Sequence, residues 1–441
     1  MTNFLVLGSG FVAEPLVEYL TRNTANRITI GSHILDEAKA LAAKFEQANA
    51  KQVDVSNEQL MSELIAQHDL VVSLVPAPLH PQIAKLCIKH GKNMVTASYE
   101  SQDMRNMAAK AEAAGITILN EIGLDPGIDH LSAMKIIDDC HQNNEKVKTF
   151  VSWCGGLPAP EDNNNPLGYK FSWAPKGVLM ALLNEAVFLR NGNVEKVASD
   201  QLLSWAKPLE IADLSLEGYP NRESTSYQKS YQIPEAENIL RGTLRYSGFC
   251  QIVQAAKSLK LLNTEASIHS NEKSWKQYLC QLNGVETLEQ LLTTIDQESS
   301  EGLQWIGCFS EQPVGSFDSP LDAFCHLLIG KLAYQAGERD MVVLQHKFEI
   351  ERADNSKYYI ASTLKAFGDV GGYTAMSKTV GYPAAIASQL IAEGKIARKG
   401  VILPVTQDIY LPILEQLEKE GIICQEQVFE EKQDFLTELN D

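Results

Sequence analysis

The sequence lacks the features that mark membrane, secreted and nucleic-acid-binding proteins. Its apolar stretches, such as residues 70–74, are far too short to cross a bilayer, so we expect no membrane-spanning segment. The N-terminus has no basic region followed by an apolar core, so we expect no secretory signal. Acidic residues outnumber basic ones by 56 to 38, and the resulting net charge of −18 disfavours binding to nucleic acids or anionic membranes.

Cysteine is present, but its spacing implies neither a disulfide framework nor a zinc site. The 8 cysteines are scattered along the chain, and no two of them form a CxxC pair. We therefore expect reduced thiols, a cytoplasmic location and no bound metal. The length of 441 residues is enough for two or three domains, each with its own core.

A short apolar strand at the N-terminus runs directly into a glycine-rich turn. Residues 4–7 are followed by Gly8-Ser9-Gly10-Phe11-Val12-Ala13, the GxGxxA form of the dinucleotide-binding fingerprint. Gly8 suits the tight turn, and Gly10 lets the backbone approach a pyrophosphate. The helix that follows offers free N–H groups to the phosphates. The segment from Gly8 to Val12 is therefore predicted to bind the cofactor.

The end of the second strand bears on the choice between NADP and NAD. Residues 27–30 lead into Gly31-Ser32-His33, at the place where an NAD-specific site usually carries Asp or Glu for the ribose 2′-hydroxyl. This run has no acid, and Ser32 and His33 could donate hydrogen bonds to a 2′-phosphate. The run favours NADP, and NAD stays the alternative because no arginine stands there either.

Strands and helices alternate through the first part of the chain, which is typical of a doubly wound parallel sheet. Such sheets bind ligands at the carboxyl ends of their strands, so the residues that follow each strand are candidates for the site. The candidate residues for contact with the cofactor or substrate are Asp54, Val55, Ser73, Ser98 and Tyr99.

A further strand over residues 116–119 leads into the stretch Asn120–His130, which contains Asp125-Pro126-Gly127. Pro126 presets φ and Gly127 permits a positive φ, so the chain should turn sharply there. Asp129 is placed to cap the following helix. A carboxylate on such a turn lies where α/β sheets bind ligands, which makes Asp125 a candidate for the site.

The pattern changes after residue 141, where a mixed α/β region with a largely helical insertion begins. In this region, residues 340–352 and 358–366 are predicted to form two strands joined by residues 353–356 as a hairpin. Arg222 and Arg245 lie on extended or turn segments, and two guanidinium groups suggest a substrate with at least two carboxylates. Asp125, Tyr99 and Cys154 could donate or accept protons at a reacting nitrogen or carbonyl. The residues alone thus predict a dehydrogenase acting on a polycarboxylic amino acid.

Six segments of the sequence carry a family resemblance, namely residues 7–13, 120–130, 154–161, 165–173, 241–246 and 339–348. They resemble the glutamate-forming saccharopine dehydrogenases, also called saccharopine reductases. The resemblance runs to about residue 405 and is poor between residues 262 and 320.

The resemblance implies a fold of three parts, usually assembled as a homodimer through the second. We expect a Rossmann-like dinucleotide-binding domain over residues 1–129. A mixed α/β domain for substrate binding and dimerisation should cover residues 130–257 and 336–441, with an inserted helical subdomain over residues 258–335.

The resemblance also implies a reaction in lysine metabolism and roles for particular residues. Glutamate and 2-aminoadipate 6-semialdehyde condense to an imine, which a reduced nicotinamide converts to saccharopine. The implied substrate contacts are Ser98, Tyr99, Asp125 at the reacting nitrogen, and Arg222, Thr243, Leu244 and Arg245. The implied cofactor contacts are Ser9 to Val12, Leu124, Asp125, Pro126 and, after Trp173, Ala174.

Two alternatives stay open on the sequence. One is a carboxynorspermidine- or homospermidine-type imine reductase of polyamine metabolism, whose pocket should be acidic rather than lined by arginine. The other is a non-catalytic nucleotide-sensing protein that kept the dinucleotide site.

Overall fold

The computed structural model describes residues 1–265 and 273–431, which form two compact units. The first unit consists of residues 1–145 and 372–425, and the second of residues 146–371 and the described residues after 425. Within the described part of the chain, no helix combines the length and the apolar composition needed to cross a bilayer.

The helices and strands follow in chain order. The strands are β1 Asn3–Leu7, β2 Arg27–Ser32, β3 Ala48–Gln52, β4 Leu70–Ser73, β5 Asn93–Val95, β6 Thr117–Leu119, β7 Lys146–Pro158, β8 Ala186–Arg190, β9 Asn193–Val197, β10 Lys207–Ile211, β11 Leu214–Pro220, β12 Asn238–Tyr246, β13 Asp340–Glu351, β14 Lys357–Phe367, β15 Gly400–Ile402 and β16 Gln425–Phe429. The helices are α1 Ala13–Thr21, α2 Leu35–Ala42, α3 Glu58–Ala66, α4 His80–His90, α5 Gln102–Arg105, α6 Ala108–Ala113, α7 Ile128–Gln142, α8 Pro175–Ala181, α9 Tyr227–Ser230, α10 Phe249–Ser258, α11 Trp275–Asn283, α12 Leu288–Leu292, α13 Gln297–Ile306, α14 Pro320–Lys331, α15 Ala375–Ala392 and α16 Gln407–Lys419.

The first unit is built on a parallel sheet with the strand order β15-β6-β5-β4-β1-β2-β3. Its central strands are apolar on both faces, because helices on either side of a parallel sheet leave no face in water. All four residues of β4, for example, are buried. The strand order reverses between β1 and β4, and ligands bind at the carboxyl ends of the strands at such a point. The predicted Rossmann-like fold is confirmed.

The C-terminal segment completes this first unit, so the structure divides the chain differently from the predicted boundaries. β15 pairs with β6 in parallel, with Gly400 opposite Thr117. α15 packs against α1 so closely that a Cβ on Gly381 would lie 2.9 Å from the Val12 carbonyl oxygen. Residues 130–145 and 372–425, which were predicted to join the substrate domain, therefore belong to the first unit.

The second unit is built on a mixed sheet with the order β10-β11-β12-β7-β13-β14-β16, and β8 pairs with β12 and β9. β7 runs parallel to β12 and antiparallel to β13. The predicted hairpin is present as β13 and β14.

Helices α11 to α14 lie within the predicted insertion, residues 258–335, of which residues 266–272 are outside the described part of the chain. Its buried side chains share one hydrophobic cluster with the sheet, since Trp275, Leu279 and Phe324 belong to the same cluster as Trp153 of β7. The helices therefore extend the core of the second unit.

Candidate functional site

The glycine-rich loop between β1 and α1 has two glycines with different structural roles. Gly8 has a φ of +114° and donates its N–H to the Gly31 carbonyl at 2.8 Å, and a Cβ there would lie 3.2 Å from the Leu74 Cβ. A Cβ on Gly10, by contrast, would meet nothing within 4 Å. Gly8 is thus required by the fold, whereas Gly10 leaves open space where the backbone can approach a phosphate. The loop fits a dinucleotide pyrophosphate at the start of α1.

This difference predicts opposite effects for two alanine substitutions. We expect Gly10→Ala to leave the unfolding temperature unchanged but to weaken NADPH binding at least about tenfold, because the methyl group fills space that the pyrophosphate needs. We expect Gly8→Ala to destabilise the fold by about 1–2 kcal/mol, because its φ disfavours an L-residue. Thermal unfolding and cofactor fluorescence titration measure both effects, and an unimpaired Gly10→Ala titration would remove this loop from the cofactor site.

The end of β2 meets the glycine-rich loop through side chains. Ser9 Oγ lies 2.9 Å from Ser32 Oγ and 3.2 Å from Glu37 Oε2, and the Ile34 N–H donates to Ser32 Oγ at 3.2 Å. His33 is exposed. The residues that directly follow β2 in sequence include no acid, but α2 brings Glu37 to this position.

The loop after β3 holds the next predicted cofactor residues. Asp54 is exposed and accepts hydrogen bonds from the side chain and backbone of Ser56, which hold the pKa of its carboxyl below the ordinary value. Nearby His33 lowers that pKa further. The Val55 carbonyl accepts a hydrogen bond from Gln82 Nε2 at 3.0 Å. Both residues therefore lie beyond the carboxyl end of β3, as predicted.

A buried histidine that no sequence motif had marked as a site residue joins the ends of β4 and β5. His80 Nδ1 lies 3.0 Å from Ser73 Oγ, and His80 Nε2 lies 2.8 Å from Ser98 Oγ and 3.1 Å from Thr96 Oγ1. Burial lowers the pKa of His80 to about 4, so the imidazole is neutral at pH 7 and donates from one nitrogen while accepting at the other. Ser73 and Ser98, both predicted site residues, are thus held by one side chain.

The depressed pKa of His80 predicts an acid-dependent loss of stability. Above pH ~6.5 the His80 imidazole is neutral in both the folded and the unfolded state. Below that pH it becomes protonated in the unfolded state, whereas in the folded state it stays neutral until the pH nears 4. When the pH falls from ~7.5 to ~5, we expect the unfolding free energy of the wild type to decrease by about 2 kcal/mol more than that of His80→Gln. Urea unfolding at both pH values measures it, with the exposed His33→Gln as the control. An equal loss in wild type and His80→Gln would contradict the assignment.

The turn that carries Asp125 is as sharp as predicted. Gly127 has a φ of +146°, and a Cβ there would lie 2.0 Å from the Gly123 carbonyl oxygen, so only glycine fits. The Asp125–Pro126 peptide is cis, and the buried Leu124 accepts the N–H of Asp129 at 3.1 Å. The prediction that Asp129 caps the following helix is wrong. α7 begins at Ile128, so Asp129 lies within the first turn, where its carboxylate accepts the Gly127 N–H at 2.5 Å.

Two of the predicted catalytic residues meet in the first unit. The Tyr99 hydroxyl donates to Asp125 Oδ1 at 3.0 Å, and both side chains are half-buried. Tyr99 follows β5 and Asp125 follows β6, so the neighbouring carboxyl ends of the two strands bring the phenol and the carboxylate together. A phenol bonded to a carboxylate can pass a proton to a group that binds beside them.

A second buried pair ties the two loops together. Glu121, with a φ of +58°, accepts the Glu100 N–H at 2.7 Å through Oε1, and its Oε2 lies 2.7 Å from His130 Nε2. The Glu121 N–H donates to the Ser98 carbonyl at 3.1 Å. These bonds flank Tyr99 on both sides and so restrict its position against Asp125. The sequence offered one signal, the Glu and His in the Asn120–His130 stretch, but not their pairing.

The second unit brings several predicted substrate residues onto one face of its sheet. Thr243 of β12 stands opposite Cys154 of β7 and opposite Tyr219 of β11, and Arg245 follows two residues later on the same face. Cys154 is buried, and burial raises the pKa of Tyr219 to about 12, so Tyr219 is a neutral phenol at pH 7. The structure therefore gathers a thiol, a hydroxyl, a phenol and a guanidinium group.

Arg245 is a buried cation held by aromatic rings. Its side chain is only 6% exposed, and its guanidinium carbon lies 4.9 Å from the Tyr169 ring centroid and 5.0 Å from that of Phe249. Nη1 donates to the Leu244 carbonyl at 2.7 Å, and Nε has no partner. Among residues 1–265 and 273–431, no carboxylate forms an ion pair with Arg245. A buried charge without a counter-ion is costly, so this guanidinium is suited to an anionic ligand.

The other predicted contacts in the second unit are placed less directly. The Leu244 side chain is fully buried in the hydrophobic cluster, on the opposite face of the sheet from Thr243. Arg222 is exposed in the turn after β11, with a φ of +54°. Ala174 is exposed directly before α8, in the second unit, whereas the other predicted cofactor residues lie in the first. Their roles stay predictions. In the described ranges no group of three His, Cys, Asp or Glu side chains could hold a metal ion.

Comparison with known proteins tests the resemblance over both units. Residues 4–119 match the family model described as the saccharopine dehydrogenase NADP binding domain, and residues 123–422 match that of the saccharopine dehydrogenase C-terminal domain. The chain belongs to the saccharopine dehydrogenase family. Membership in this family confirms the resemblance and identifies the first domain as an NADP-binding one.

Relatives in this family match the chain along nearly its whole length. The saccharopine dehydrogenase (NADP(+), L-glutamate-forming) of Schizosaccharomyces pombe is 40% identical over 98% of this chain and 100% of that protein. The protein of the same name from Saccharomyces cerevisiae is 42% identical over 96% of this chain and 98% of its own. The solved structure of the apo, L-Glu-forming S. cerevisiae enzyme covers 97% of this chain and 100% of its own, with 41% identity and a TM-score of 0.89.

Proposed function

We propose that the chain catalyses the reversible, NADP-dependent interconversion of L-saccharopine with L-glutamate and L-2-aminoadipate 6-semialdehyde through an imine, in the aminoadipate route of lysine metabolism. The observation that carries the proposal is the match of 40–42% identity, over nearly the whole chain, to proteins named for this L-glutamate-forming dehydrogenase. A homodimer formed through the second unit and a cytoplasmic location are further parts of the proposal, and light scattering tests the first.

Residues at the carboxyl ends of the first-unit strands are proposed to hold NADP. The glycine-rich loop from Gly8 to Val12 would bind the pyrophosphate, while Ser32, His33, Asp54 and Val55 would contact the adenosine. Ser73, Leu124, Asp125 and Pro126 would contact the nicotinamide half, and Ala174 of the second unit is a further proposed cofactor contact. When bound, NADP supplies a hydride acceptor, and NADPH a hydride donor, for the bond between carbon and the reacting nitrogen.

Asp125 and Tyr99 are proposed to act at the reacting nitrogen. A protonated imine is cationic, so a half-buried carboxylate at this position stabilises it more than the neutral amine. The hydrogen bond from the Tyr99 hydroxyl to Asp125 Oδ1 supports a shared role of the two residues in proton transfer. The phenol would donate a proton to the reacting group, and the carboxylate would accept one from it. Cys154 of the second unit is the third candidate proton donor.

Arg245 is proposed to bind a substrate carboxylate, with Thr243, Arg222 and Ser98 as further contacts and Leu244 as a contact through its backbone. Saccharopine bears three carboxylates, and the guanidinium fork binds a carboxylate through two parallel hydrogen bonds. The free Nε of Arg245 and its lack of a carboxylate partner within the described chain support this role. A cationic polyamine substrate would be repelled by the same group, which argues against the polyamine-type reductase. The paired Tyr99 and Asp125 argue against a purely nucleotide-sensing role.

Absorbance of the reduced nicotinamide tests the function directly. The purified chain is mixed with saccharopine and NADP or NAD, and in reverse with glutamate, the semialdehyde and NADPH or NADH. We expect NADPH to form in the first direction and to be consumed in the second. Turnover of a polyamine-derived imine without turnover of saccharopine would replace this proposal with the polyamine alternative.

A further inference from the structure

An acidic side chain stands at the meeting point of the glycine-rich loop and β2. Glu37, in the first turn of α2, places Oε2 3.2 Å from Ser9 Oγ, and the same hydroxyl lies 2.9 Å from Ser32 Oγ. Ser9 belongs to the loop that approaches the pyrophosphate, and Ser32 is the last residue of β2. In a doubly wound sheet the adenosine ribose lies between these two elements, so this point faces its 2′ substituent.

We propose that Glu37 determines how the chain discriminates between NADPH and NADH. Its carboxylate accepts a hydrogen bond from the 2′-hydroxyl of NADH and repels the 2′-phosphate of NADPH. This role of Glu37 rests on the proposed use of a nicotinamide cofactor. It makes the preference of the chain for NADPH over NADH weaker than it would be without the carboxylate. Glu37 thereby makes NADH a usable cofactor.

Among residues 1–265 and 273–431, no basic side chain forms an ion pair with Glu37. Exposed Asp54, whose carboxyl interacts with His33, adds further negative charge. Lys39, on the same helix as Glu37, lies 4.0 Å from Asp36. A carboxylate within a few ångströms of a phosphate of about two negative charges lowers affinity by roughly tenfold, even with solvent screening.

Three substitutions in the same helical turn separate this effect from general charge. Glu37→Gln removes the charge while keeping the shape and a hydrogen-bond acceptor. Asp36→Asn removes the same charge one residue earlier, from a side chain that is 96% exposed. Glu37→Ala removes both the charge and the acceptor. Fluorescence titration with NADPH and with NADH, in the absence of substrate, gives the dissociation constants of all four proteins.

We expect Glu37→Gln to bind NADPH roughly tenfold more tightly than the wild type, with NADH affinity changed by less than about threefold. The gain should shrink as ionic strength rises, since salt screens the repulsion. Glu37→Ala should also weaken NADH binding, and Asp36→Asn should leave the ratio of the two constants near that of the wild type. If the wild type binds NADPH and Glu37→Gln shows the same ratio as Asp36→Asn, this inference alone is overturned. A wild type that binds neither nucleotide overturns the proposed function with it.

Discussion

Replacing Asp125 with alanine is expected to lower turnover at least about 100-fold while changing NADPH affinity by no more than about twofold. The carboxylate accepts the Tyr99 hydroxyl at 3.0 Å, on a turn that Gly127 makes possible. Its proposed interaction with the cationic imine exists only during the reaction, whereas its proposed contact with the nicotinamide is one of many contacts that hold the cofactor. Binding of the cofactor alone should therefore be nearly unaffected.

Two further variants separate charge from hydrogen bonding at this position. Asp125→Asn keeps an oxygen that accepts from Tyr99 but carries no charge, so it should be almost as impaired as Asp125→Ala. Tyr99→Phe keeps the carboxylate and should lose less, about 10-fold or somewhat more. Steady-state turnover and cofactor titration measure the series. Wild-type turnover in Asp125→Ala would remove this residue from the mechanism.

Replacing Arg245 with methionine is expected to raise the KM for saccharopine about 100-fold, equivalent to roughly 2.7 kcal/mol of lost binding. The unfolding free energy of the ligand-free protein should stay equal or rise by about 1–3 kcal/mol, because the substitution removes a buried cation that has no carboxylate partner in the described chain. A purely structural arginine would show the opposite pattern, a less stable protein with an unchanged KM.

Control variants define what the Arg245 result means. Arg245→Lys keeps the charge but loses the planar fork, so it should restore only part of the affinity. Arg352→Met removes an arginine that pairs with Glu430 at the surface of the same unit, and it should change neither KM nor stability by much. Thermal unfolding with and without saccharopine, together with KM, provides the measurements. A wild-type KM in Arg245→Met would exclude the carboxylate role.

The sequence predicted those parts of the site that depend on residues close together along the chain. The GxGxxA loop, the sharp turn at Asp125 and the β13–β14 hairpin are each set by a few consecutive residues, whose φ preferences and apolar alternation are visible without a structure. The preference for NADP agrees with family membership. The absence of an acid directly after β2 was an incomplete ground for this preference, because α2 brings Glu37 to the same place.

What the sequence determined by itself was the class of fold, the family and the local motifs, since each is written in short-range patterns. The tertiary structure alone decided which distant side chains meet. Pairing across strands placed Gly400 opposite Thr117, helix packing carried Glu37 to Ser9, and His80 reached Ser73 and Ser98. The Arg245 guanidinium likewise packs against the ring of Tyr169, which lies far before it in sequence, as well as against the nearby ring of Phe249. Such contacts follow from packing and pairing between separate elements, and no local propensity encodes which partners will meet.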